Sequence, residues 1–239
     1  MSGSALRVEG IDVFYGASQI LFEIQILSDQ IPTGQQMRWS RAVHHLEELA
    51  RTCADMATRP ATIFPLRVTA LWAFGDVLEN QEDLDSLPVV LAVDLPVEDV
   101  AWLCSPAGTE HWTHAAGLSK NPVVAIWRST RAPLWNHRVH RPLLIWDESG
   151  GVAVQSLSAV RGGTADPLRD PEPYPVELAS RLEAELAVSL AALQSTTARY
   201  QQRRFAPGRL EPVADALWRA SAGYLDILKA TRQADPAST

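Results

Sequence analysis

The sequence predicts an α+β fold: a small mixed sheet with flanking helices, followed by a C-terminal antiparallel helical hairpin. Three observations carry this. The composition, 46% hydrophobic and 21% charged over 239 residues, suits a globular chain with a sizeable core. Short apolar runs bounded by glycine, proline and acidic turns alternate with helical periodicity up to about residue 160. Beyond it, two long stretches carry leucines at helical spacing on either side of Pro207-Gly208.

Residues 1–36 read as an extension forming a β-hairpin. Leu6–Glu9 and Ile11–Tyr15 lead into Gly16, and Gln19–Ile24 returns. An α/β core follows over 37–160. Ser40 is placed to cap a helix running to Ala57, whose Trp39, Val43, Leu46, Ala50, Cys53 and Ala57 form one apolar stripe. Leu66–Phe74 is an apolar strand closed by Gly75. Leu87–Val93 is a second, with Pro88 restricting its start to an edge or first position. Val97–Cys104 and Ala107–Leu118 read as short helices and Val123–Trp127 as a third strand. Leu143–Trp146, the turn Glu148–Gly151 and Val152–Leu157 read as a hairpin. Residues 161–175, with two glycines and four prolines, read as a linker. The helical hairpin spans 176–232, striped by Leu178, Leu182, Leu186, Leu190 and Leu193, then by Leu210, Val213, Leu217, Ser221, Tyr224 and Leu228. Residues 233–239 form a frayed tail.

The net charge of −7 argues against general nucleic-acid binding. It is unevenly placed. Val68–Ser119 holds nine acids and no Lys or Arg, whereas Lys120–Trp146 holds Lys120, Arg128, Arg131, Arg138 and Arg141 and no acid. The expectation is that the second block neutralises the first across the sheet. No run approaches the ~20 apolar residues of a membrane span, and Arg7, Glu9 and Asp12 interrupt any signal-peptide core. Two cysteines, Cys53 and Cys104, form no disulfide framework and fit a cytoplasmic protein. His111-x-x-His114 and His137-x-x-His140 have spacing that zinc accepts, but no cysteine or acid completes a ligand set, so packed or surface histidines are expected.

The string LRVEGIDVFYGASQILFEI at residues 6–24 resembles the opening strands of ATP-binding-cassette ATPases of the branched-chain amino-acid transporter type. No GxxxxGK[ST] loop follows, so nothing cradles phosphates and the ATPase reading fails. A gene-fusion remnant, or a misassigned start with Met37 as initiator, accounts for the segment.

Leu71-Trp72-Ala73-Phe74-Gly75-Asp76, then Glu82-Asp83-Leu84-Asp85, then Pro88-Val89-Val90-Leu91 form the sharper pattern. Over residues 38–157 this order resembles the nucleotidyltransferase core, in which a strand ends at glycine and a pair of aspartates follows about ten residues on. The resemblance implies that Gly75 approaches a nucleoside triphosphate and that Asp83 and Asp85 hold Mg²⁺. Asp147 would be the third carboxylate, and Arg128 and Arg131 would neutralise phosphate. The chemistry suits the residue types: glycine permits close backbone approach, and carboxylates two apart on a strand share a side. Asp76 departs from the family's Ser or Gly and would repel the phosphates.

Two functions follow. One is a nucleotidyltransferase-fold protein with a degenerate motif, non-catalytic, binding a partner protein or itself through the hairpin aromatics Tyr200, Phe205, Trp218 and Tyr224. The alternative is an active Mg²⁺-dependent nucleotidyltransferase modifying a protein, RNA or small molecule.

Overall fold

The computed structural model describes residues 13–15, 18–20, 36–60, 62, 65–79, 82–118 and 122–234. Strands β1 (Val13–Tyr15) and β2 (Ser18–Ile20) pair antiparallel. The expected strand Leu6–Glu9 and residues 235–239 of the tail lie outside the described residues.

The main sheet comprises β3 (Val68–Ala73), β4 (Leu87–Val93), β5 (Val123–Ser129), β6 (Leu143–Asp147) and β7 (Gly151–Val152), in the order β5-β4-β3-β6-β7. It is mixed: β4 and β5 run parallel, and the other pairings are antiparallel. Pro88 sits in an inner strand, one residue beyond the last β3 partner pair, Ala73 with Val89. It therefore removes no ladder hydrogen bond on the β3 side.

Both faces of the sheet are buried, and the side-chain alternation of each strand sorts residues between them. Leu71 and Ala73 of β3, with Leu87, Val89, Leu91 and Val93 of β4, meet α1 (Trp39–Ala57), α2 (Thr109–Ala115) and α3 (Val154–Arg161). Trp72, Phe74, Val90 and Ile126 face the other way. There they meet Leu182 and Ile227 of the long helices α4 (Pro175–Arg203) and α5 (Glu211–Ala234). Each fully buried leucine or isoleucine contributes about 1.5–3 kcal/mol.

Several elements differ from the sequence reading. Ser40 is not the cap of α1: Arg38 occupies the N-cap position, with no side-chain capping bond. Val97–Cys104 forms only a 3₁₀ turn over Val97–Val100. The second arm of the 143–157 hairpin is two residues long, and the chain turns into α3 at Val154. Segment 161–175 is tied down: Asp170 N–H donates to the Pro142 carbonyl (3.0 Å), and the Arg169 side chain reaches Glu79 and the Arg141 carbonyl. Helix α4 starts with Pro175 at its first position, and Glu177 Oε2 accepts the Tyr174 N–H at 2.9 Å.

The helical pair divides along its length. No residue of α4 beyond Ser189 is buried, and none of α5 before Ala220. The distal part, about 20 Å of α4 at 1.5 Å per residue, is an arm with no buried residue, although Trp218 and Arg219 of α5 still line a cleft with β5. Leu190 of the expected stripe is accordingly 39% exposed.

Candidate functional site

Gly75 has φ +71° and opens a short 3₁₀ helix, Gly75–Leu78, after the extended Phe74. The backbone turn there matches the sequence expectation, and Asp76, exposed, occupies the first turn. Asp83 and Asp85 are exposed on either side of buried Leu84, which exchanges backbone hydrogen bonds with Met37 at 2.7 and 2.8 Å. Asp147 lies opposite Ala70 on β3, five residues and roughly 16 Å of strand from Gly75. Its Oδ1 accepts from the Ser149 hydroxyl, the Ser149 N–H and the Gly150 N–H at 2.5–2.9 Å. The Ser149 hydroxyl is the main reason its pKa is lowered, and the turn consumes the oxygen. Among the described residues, no group of three or more His, Cys, Asp or Glu side chains could hold a metal ion.

The expected basic residues have structural partners. Arg131 pairs with exposed Asp94 at 2.9 Å, among the described residues the one ion pair between the basic block and the acidic one. Arg128 is only 3% exposed and belongs to a buried network. It pairs with Glu185 of α4, donates from Nε to the Leu134 carbonyl at 3.1 Å and lies 5.3 Å over the Trp102 ring. Arg181 reaches the same Glu185 oxygen at 2.9 Å, and Asn136 donates to the other at 3.0 Å. Asn136 Oδ1 in turn accepts the N–H groups of Arg138 and Val139. Burial alone would push the Glu185 carboxyl up; the Arg128 charge and hydrogen bond, then Arg181, outweigh it and hold the pKa below the ordinary value.

A second buried carboxylate serves α5. Asp226 accepts from Trp102 Nε1 at 2.9 Å and from Arg138 Nη2 at 2.6 Å, and His137 Nε2 lies 2.8 Å away. Burial opposes ionisation here too, but the bonds from His137, Arg138 and Trp102 hold this carboxyl far below the carboxylate range. So, among the described residues, Arg128 and Arg138 counter-charge α4 and α5, Arg141 pairs with Asp166, and only Arg131 turns to the acidic block. His137 is bound to Asp226, and His140 Nε2 lies 2.6 Å from the His137 carbonyl oxygen, which accounts for that histidine pair without zinc.

These two carboxylates impose a pH dependence. In the unfolded chain both titrate near pH 4; in the folded chain both titrate lower. The unfolded state therefore takes up protons first as pH falls. Their contribution is full above about pH 5 and is lost progressively below it. Melting followed by circular dichroism from pH 7 to pH 3 should show a falling midpoint, with a shallower slope in Asp226→Asn; equal slopes would contradict the assignment.

Fold and network together define a class: a three-layer protein with a mixed five-stranded sheet, to which a C-terminal helical pair is locked by two buried carboxylates. The chain belongs to the family described as Domain of unknown function (DUF7711), whose model matches residues 37–233. No curated protein and no solved structure matches it. Sequence reasoning missed Glu185 and Asp226. Their signal is present: Glu185 shares the buried face of α4 with Leu182 and Ser189, and Asp226 that of α5 with Gly223 and Ala230.

Proposed function

We propose that this chain acts by binding, as a degenerate relative of the nucleotidyltransferase fold, with the sheet serving as a mount for the two-helix arm. The observation that carries the reading is the arm's distal end. Phe205 at the turn is 84% exposed. Residues 186–210 contain Arg199, Arg203, Arg204 and Arg209 and no acid. Such an end suits a protein partner with an acidic surface and an apolar seat for the Phe205 ring. The committed partners of Arg128, Asp147 and His137 support it, because each polar group is already used in holding the fold.

Phe205→Asp in the full chain should leave the melting temperature within about 1–2 °C, since exposed substitutions rarely exceed ~0.5 kcal/mol. It should abolish association that light scattering or affinity capture detects with the unchanged chain. Identical masses and identical captured proteins in both would overturn the reading. Gly75, with its positive φ before a helical turn, favours the alternative of an active nucleotidyltransferase. Calorimetric heat from a nucleoside triphosphate with Mg²⁺, lost in Asp83→Ala/Asp85→Ala, would shift the conclusion there.

A further inference from the structure

Strand β5 ends the sheet, and its backbone parity can be read from two hydrogen bonds. Leu87 N–H donates to the Pro122 carbonyl at 2.8 Å, and Thr130 N–H donates to the Val93 carbonyl at 3.0 Å. With the parallel register between, from Pro88 opposite Val124 to Ala92 opposite Arg128, the even-numbered residues of β5 bond to β4. The odd-numbered residues Val123, Ala125 and Trp127 turn their N–H and C=O groups outward. Among the described residues, no backbone group pairs with this outer rim.

A cleft of about 40 Å³ lies along it, lined by residues 124–127 of β5, by residues 103–105 and by Trp218 and Arg219 of α5. Arg219 is half-buried, and among the described residues its guanidinium has no hydrogen-bond or ion-pair partner. It is close enough to act on the Cys104 thiol, whose pKa burial pushes up to about 11 against the pull of that positive charge. The cleft thus joins an unpaired strand rim to an unneutralised cation, and β5 ends 76 residues before the arm's Phe205 in the chain.

We propose that this groove takes an extended segment of a partner protein as an added strand beside β5, with a carboxylate of that segment on Arg219. The rim selects backbone, because only a strand offers donors and acceptors alternating at its spacing. Arg219 selects an acid, from Asp, Glu or a chain terminus. A free inorganic anion would satisfy the arginine and leave the rim unpaired.

The test is selection of random displayed peptides on the full-length protein, followed by anisotropy titration of a labelled selected peptide. Selected sequences should be β-prone and carry an acid. Arg219→Glu should weaken binding by about tenfold or more, as reversing one ion pair does. Ala125→Pro removes an outward N–H that β4 does not use, and should weaken it similarly. Hydrogen exchange on the unsubstituted protein supplies a readout independent of variant folding: bound peptide should protect the amides of Ala125 and Trp127. No enriched peptide, unprotected amides, or binding abolished by Phe205→Asp but indifferent to Arg219→Glu would each overturn the proposal.

Discussion

Glu185→Ala should destabilise the protein by about 3–5 kcal/mol, the cost of breaking a buried ion pair by removing one partner. For a chain of this size that corresponds to a melting temperature lower by about 6–20 °C. Glu185 is 4% exposed, and its two oxygens receive Arg128, Arg181 and Asn136. Without it, two guanidinium groups stay near one another, and burial already pulls the Arg181 pKa down. Arg128 cannot escape to water: its other bonds, to the Leu134 and Pro133 carbonyls, hold it beneath the helices. Removal of both charges is a separate matter. Arg128→Met/Glu185→Leu should lose less than the two single variants together, with a coupling of about 1–3 kcal/mol. Urea denaturation of the four proteins measures it. Additive losses would mean that the pair contributes nothing beyond the separate side chains.

The elements that local patterning dictates were legible in the sequence. α1 follows from one apolar stripe, β4 from an apolar run with the observed bounds Leu87–Val93, and the helical pair from its leucines around Pro207-Gly208. What failed lacked local cause. Val152–Leu157 has strand propensity, yet the chain turns helical at Val154, where Leu157 and Val160 find a place in the α1-side core. The expectation pairs the basic block with the acidic block across the sheet, which holds for Arg131 with Asp94. Arg128 and Arg138 instead find Glu185 and Asp226, 57 and 88 residues away, brought there by the helices' packing on the sheet. The face of α5 was misjudged for a related reason. Large residues such as Leu217, Tyr224 and Leu228 drew the stripe, whereas the buried line is Ala220, Gly223, Ile227 and Ala230. Small residues mark where a helix comes closest to its support.

Gly223 is where that approach is tightest. A Cβ built on it would lie 2.1 Å from the Trp102 carbonyl oxygen and 3.0 Å from the carbonyl carbon. Both atoms are backbone, so no rotamer change can relieve the overlap. Gly223→Ala, which favours an isolated helix by about 1 kcal/mol, should here be destabilising. It would lever α5 from the sheet at the point where Trp102 Nε1 meets Asp226, one turn along the same helix. Overpacking costs typically about 1–3 kcal/mol, and the weakened bonds to Asp226 add to it, so a loss near the top of that range is expected. Ser221→Ala is the control, since its hydroxyl bonds only the Leu217 carbonyl of its own helix at 2.8 Å. Hydrogen exchange locates the damage: amides of α4 and α5 from residue 182 onward should exchange faster in Gly223→Ala, while those of α1 keep their rates relative to global unfolding. Uniform acceleration would mean that the helical pair and the sheet unfold as one unit. A stabilised Gly223→Ala would show that α5 can stand off from Trp102 at no cost, and would remove the close approach as a reason for the glycine.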